Sequence, residues 1–323
     1  MRLAGGDRAS GDDRWARDFR GYGGAPPDVR WPGDARVAVS LVVNIEEGAE
    51  LAVSQGDPRN ERLYDITEEV VGTPDPCMES HFEYGTRAGW WRVMEVLEQF
   101  GAAATMNACG RAIELSPWLA QDAVRRGHEI ACHGWRWERH AGMTLARERD
   151  LIRRAVRAIE AACGERPVGF HTRSAPSANT RRLLVEDGGF LYDSNSYNDD
   201  IPYAVEVEGR SHLVLPYAFD TNDMRFQNNG GFVFGEDFAR YCIAAYDRLW
   251  EEGAQSPRMM TVGLHLRIIG RPGRIGGLIA FLEHVHKKGG AWLARRDEIA
   301  RHWRRATGLA EWRPAAAAPA LQR

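Results

Sequence analysis

The chain has 323 residues, a formal net charge of -3, and 27% charged and 44% hydrophobic residues. Acidic and basic residues are mixed throughout, which argues against nucleic acid and against an anionic membrane surface as partners and leaves a small polar molecule. Five scattered cysteines (Cys77, Cys109, Cys132, Cys163, Cys242) without a C-x-x-C argue against a disulfide framework or a zinc knuckle and suit a reducing cytoplasm.

Residues 1–16, rich in Gly, Asp and Arg, read as a disordered segment without the apolar core of a signal peptide, and no stretch approaches the roughly 18 apolar residues of a membrane span. Residues 17–305 read as a single catalytic domain, because no linker divides them, and 306–323, ending in PAAAAPALQR, as a disordered tail.

Within the domain, residues 37–43 (VAVSLVV) are β-branched or small and uncharged, the pattern of a strand buried on both faces. That strand delivers Glu46 and Glu47, and Gly48 lets the backbone turn behind them. Neighbouring side chains on an extended segment point opposite ways. One carboxylate is therefore expected to face the substrate while the other holds a neighbour or a metal.

Residues 54–80 form the longest irregular connection, expected to be a lid or an oligomer contact. A helix from about Gly85 carries Trp90, Val93 and Leu97 on one face, and residues 102–106 read as the second strand. Ser116 and Pro117 open a helix that Gly127 ends before a third strand at 129–132, and Thr144 opens a longer one, with Leu151, Ala155, Ile159 and Ala162 at helical spacing, closed by Gly164. Further strands fall at 168–170, 190–192, 213–215, 259–264 and 291–293, with helices from near Asn179, from about Glu236 and over 275–285. Repeated strand–helix units without long antiparallel hairpins predict an α/β fold with a parallel sheet, and seven or eight of them predict a barrel.

The strand ends are expected to converge on one cavity. They supply Glu46 and Glu47, then Asn107, His133, His171 with Arg173, Asp193 with Asn195, Tyr217 with Asp220, and His265 with Arg267. Carboxylate and imidazole are the pair that removes a proton from water and returns one to a leaving nitrogen or oxygen. Guanidinium groups suit a substrate rich in carbonyl oxygens, since Arg offers paired donors. Asp220 enters as a substrate contact, although with Asn222 and Asp223 it also reads as a brace for its loop. A metal is not favoured: the residue four after His133 is Trp137, so Glu47 and His133 would be the ligands at hand, short of the three usual for a catalytic zinc.

These residues resemble the polysaccharide deacetylase superfamily. Glu46-Glu47-Gly48 stands where that superfamily has Asp-Asp-Gly, His133-Gly134 matches the start of His-x-x-x-His, Arg173-Ser174-Ala175-Pro176 is similar to Arg-x-x-Pro, and Leu264-His265 to its closing Leu-His. The sequence is most similar to the metal-independent allantoinase branch, through NIEEGAE (44–50), MESHFEYGTRAG (78–89), HGWRW (133–137), NTRRLLVEDGGFLYDSNSYNDDIPY (179–203), LPYAFDTNDMRF (215–226), GLHLRIIGRPGR (263–274) and RRDEIARHW (295–303).

The resemblance implies an incomplete (β/α) barrel of about seven parallel strands, a cytoplasmic homotetramer, and hydrolysis of a cyclic amide, allantoin to allantoate in purine catabolism. It implies one of Glu46 and Glu47 as base, His265 as acid, His133 as a positioning group and no cofactor, zinc being the ion to test. From their places at or near the strand ends, Asn107, Trp137, Arg173, Tyr217, Asp220 and Arg267 are expected around the substrate, with Arg267 or nearby backbone N–H groups stabilising the oxyanion. The chain departs from that branch at Phe170-His171-Thr172-Arg173-Ser174, where the allantoinases have Trp-Tyr-Thr-Gly-Arg, and at Asn107, where they have an apolar residue. A hydantoin or cyclic imide is therefore the next substrate class. A metal-dependent N-deacetylase of an amino sugar or polysaccharide is the alternative on the same fold, and a non-catalytic binding barrel the last.

Overall fold

The computed structural model describes residues 17–62, 68–227 and 231–314. The first strand, β1 (Val37–Ile45), has all nine residues buried. Each fully buried Val, Leu or Ile in it contributes about 1.5–3 kcal/mol. It runs two residues beyond the expected end, which carries it to the doorstep of Glu46.

Helix α1 (Pro76–Tyr84) starts earlier than the sequence suggests, with Pro76 in its first turn and the Asp75 side chain accepting from the Met78 N–H. It passes through one wide turn, Gly85–Gly89, into α2 (Trp90–Gln99). Then follow β2 (Thr105–Ala108), α3 (Gly110–Leu115), α4 (Pro117–Arg125), β3 (Glu129–Cys132), α5 (Leu145–Cys163), β4 (Gly169–Phe170), α6 (Thr180–Asp187) and β5 (Tyr192–Asp193). The strand–helix alternation is interrupted here by a short hairpin that was not expected, in which β6 (Tyr203–Val207) and β7 (Arg210–Val214) pair antiparallel. The chain continues through α7 (Gly235–Glu252), β8 (Arg258–His265), α8 (Pro272–Lys288), β9 (Ala291–Leu293) and α9 (Arg296–Ala306), the last of which was not expected.

Among the described residues the strand order is β6-β7-β5-β4-β3-β2-β1-β8, with β9 also pairing to β1, and every pairing other than β6–β7 is parallel. This is an incomplete (β/α) barrel. Between β7 and β8 the ring is continued by a single parallel bridge, Asn222 to Gly263. Strands β1, β2, β3 and β8 all end on the same rim, so their C-terminal residues are neighbours.

The expected disordered segment 1–16 lies outside the described residues, as does 315–323. Within the expected tail, Leu309 and Trp312 pack against a cluster that includes Trp31, Ile299 and Trp303.

Candidate active site

The C-terminal rim encloses a cavity of about 940 Å³, whose lining includes Asn44, Glu46, His133, Trp137, His171, Arg173, Tyr217, Asn222 and His265. Glu46 lies at its base. One of its oxygens, Oε1, is 3.4 Å from Nε2 of His133 and 3.4 Å from Nε2 of His265. The other, Oε2, pairs with Arg267 Nη2 at 2.8 Å.

Glu47 is buried but does not line the cavity. Its Oε2 accepts from the Glu46 N–H at 3.0 Å and its Oε1 is 3.7 Å from Arg267 Nη1. The alternation expected of the strand end thus separates the two carboxylates: Glu46 faces the cavity, and Glu47 backs it.

Both imidazoles are oriented from behind. His133 Nδ1 donates to the His171 carbonyl at 2.7 Å, and His265 Nδ1 donates to Asp223 Oδ1 at 2.6 Å. In each ring Nδ1–H is thereby spent, and Nε2 is presented to Glu46. Asp223, fully buried, also accepts from the backbone N–H groups of His265 and Ile269 through Oδ2. The sequence offered Asp223 only as a loop brace, and its role as the partner of His265 depends on a contact across 42 positions.

Electrostatics separate the groups by proton affinity. Burial favours the neutral form of Glu46, but Arg267, His265 and hydrogen bonding to both imidazoles outweigh it and hold the carboxyl well below the usual range. Burial pushes Glu47 the other way, and the neighbouring Glu46 charge adds to that against the opposing pull of Arg267. Burial lowers His265, yet Glu46 and Asp223 overcome it and raise the imidazole to about 9. A carboxylate that stays ionised beside an imidazole that stays protonated is a matched base and acid.

Several expected contacts are corrected. Arg267 is fully buried, does not line the cavity, and is committed to Glu46 and Glu47 over the Phe82 ring. The chain turns at His265, whose carbonyl accepts from Ile268 and Ile269, so the strand alternation that would aim Arg267 inward has lapsed. Asn107 lies behind the lining, donating to Asn44 Oδ1 at 3.3 Å and standing 3.4 Å from His171 Nδ1. Asp220 is exposed outside the cavity and accepts from Tyr241.

Trp137 and Arg173 do line the cavity, with the guanidinium 3.4 Å above the Trp137 ring and paired to both oxygens of Glu61. Tyr217 lines it too, stacked on His171 with centroids 4.4 Å apart. Asn44 was not singled out in the sequence, although it stands two residues before Glu46 and so shares its face.

The residues do not fit a divalent metal. Among the described residues no three or more His, Cys, Asp or Glu are grouped to hold one. The carboxylate beside His133 is Glu46 rather than the expected Glu47, and the fixed charge of Arg267 already occupies its far side. His140 is bound up elsewhere, against Glu148 at 3.0 Å.

Residues 71–191 match the family described as polysaccharide deacetylase. A protein from Schizosaccharomyces pombe named putative polysaccharide deacetylase is 36% identical over 312 residues, covering 89% of this chain and 96% of its own. Among solved structures, a probable polysaccharide deacetylase from Pseudomonas aeruginosa PAO1 and the Puue allantoinase are each 43% identical with a TM-score of 0.86, covering 90% of this chain and 98% of theirs. Among the described residues no helix is long and apolar enough to cross a membrane.

Proposed function

This chain belongs to the polysaccharide deacetylase family, and from that premise we propose that it hydrolyses a cyclic amide, with allantoin the first substrate and a hydantoin or cyclic imide the next. The observation that carries the reading is the convergence of His133 Nε2 and His265 Nε2 on Glu46 Oε1, each at 3.4 Å. Its likeness to an allantoinase along nearly the whole of that chain supports the choice of ring.

The chemistry follows from these atoms. A water seated by Glu46 and His133 gives a proton to Glu46 as its oxygen bonds to the ring carbonyl carbon. The ring C–N bond then breaks, and the departing nitrogen takes the proton of His265 Nε2. Glu46 now holds a proton next to a neutral His265, and their direct contact returns it, so the acid is restored without a further group. Near neutral pH both partners are in the required state at once, because Glu46 is held low and His265 high. Arg267 keeps Glu46 ionised and fixed.

The names of several relatives favour a second reading, release of acetate from an N-acetylated sugar. The two are separated by offering the purified protein racemic allantoin, hydantoin, succinimide and an N-acetylglucosamine oligomer, with and without EDTA. Ring opening that is indifferent to EDTA is expected. Acetate release that EDTA stops and zinc restores would replace the proposal with the second reading.

A further inference from the structure

The hydroxyl of Tyr217 accepts two hydrogen bonds, from Asn44 Nδ2 at 3.2 Å and from Asn222 Nδ2 at 3.4 Å. The direction of both is fixed by backbone groups. Asn44 Nδ2 also donates to the Leu264 carbonyl, and Asn222 Oδ1 accepts from the Met224 N–H, so neither amide can be reversed. Two donors therefore meet the phenol oxygen, and its own proton has no acceptor among the described residues. Leaving a buried donor unmatched costs about 1–3 kcal/mol. Tyr217 is 5% exposed and lines the cavity, the one direction in which that proton remains usable.

The position is built. A Cβ at Gly263 would run into both the Tyr217 hydroxyl and the Asn222 amide, so the bare glycine is what admits them. Gly263 shares a strand face with His265, two residues on, and Asn44 pairs with His265 in register and shares a face with Glu46. The hydroxyl thus stands on the same inner face as the acid and the base.

Resting on the ring-opening reading, we propose that Tyr217 is a catalytic residue whose phenol donates to the oxygen of the carbonyl under attack, oriented by Asn44 and Asn222. As the water oxygen bonds to carbon, the carbonyl π pair moves onto that oxygen and Tyr217 stabilises it without giving up its proton. When the C–N bond breaks, the pair returns. The site thereby acquires the oxyanion donor that Arg267, turned away behind Glu46, does not provide. Burial pushes the phenol above its ordinary pKa, so it remains a donor over the working range.

The test compares wild type, E46Q and Tyr217→Phe on whichever ring of the four-substrate panel the wild type opens, with folding checked by thermal melting. Phe retains the stack on His171. Tyr217→Phe is expected to lower kcat by about 10²–10³-fold, with KM within about threefold and the pH limbs unmoved. Should Tyr217→Phe not fold, Asn222→Asp keeps the tyrosine and the bond to Met224 but captures the phenol proton, and the same loss in kcat is expected. A kcat within about threefold of wild type in the folded variant, or a loss confined to KM, overturns the assignment to Tyr217 while leaving Glu46 and His265 in place. No ring opened by wild type, or E46Q as active as wild type, overturns the underlying reading and this assignment with it.

Discussion

At Glu46 burial and charge oppose each other, and charge wins because Arg267 and His265 are both within contact. Glu47, one residue on, is reached by the same Arg267 only at 3.7 Å, and burial with the Glu46 charge raises its carboxyl above the ordinary value. The sequence shows that the two must differ, since adjacent strand residues face opposite ways. Which one meets the cavity was not legible, because it depends on where His133 and His265 arrive from other strands. Glu47→Gln is accordingly expected to keep kcat within about tenfold of wild type, whereas Glu46→Gln loses about 10²–10⁴-fold, the scale of a removed general base. Steady-state turnover of the two variants checks the order, and equal losses would deny Glu46 its separate role.

His265 gives a pH prediction with a definite sign. In the proposed ring opening its proton is the one delivered, and Glu46 and Asp223 raise its affinity to about 9, so kcat/KM should hold through neutral pH and fall as pH rises through about 9. In Asp223→Asn the backbone N–H groups of His265 and Ile269 would claim the amide oxygen, turning the NH2 toward the imidazole and enforcing the wrong tautomer. That variant should lose about 10²-fold or more, with its alkaline limb about 1–3 units lower. A wild-type limb near 6.5, the ordinary imidazole value, in the pH–rate profile would contradict the pairing.

Elements were legible where the pattern is local. β1 announces itself by an uncharged β-branched run, and the α5 boundaries by Thr144 and Gly164, which do cap it. The β6–β7 hairpin was missed because its turn is Glu208-Gly209, both at positive φ, instead of the Asn-Gly or Asp-Gly that signals such a turn. The wide turn at Gly85–Gly89 was also illegible, since its purpose is contact with other elements: a Cβ at Gly85 would run into the Glu47 carboxylate, and one at Gly89 into the Leu266 carbonyl. The turn presses the α1–α2 segment against the ends of β1 and β8 together. Gly85→Ala should therefore cost about 1–3 kcal/mol in chemical denaturation and lower turnover by disturbing the Glu47–Arg267 support. Wild-type stability in that variant would show that the close approach is not required.

For the whole molecule, the strand-and-helix alternation made the barrel legible, and the residues at strand ends marked Glu46, His133, His171, Arg173, Tyr217 and His265 of the cavity lining. What could not be read is the layer behind the lining, where Asp223, Arg267 and Asn107 act through neighbours distant in sequence. That layer also bears on metal. The place beside Glu46 and His133 carries the fixed positive charge of Arg267, which a divalent ion would have to approach. The proposed turnover therefore rests on protons moved between Glu46, water, substrate and His265. It is tested most directly by the initial rate of allantoin ring opening in wild type and E46Q after exhaustive EDTA treatment, with residual metal quantified. The expected result is full activity in the stripped wild type and a loss of about 10²–10⁴-fold in E46Q. Activity that disappears from the wild type with its metal and returns with zinc, or survives in E46Q, would contradict it.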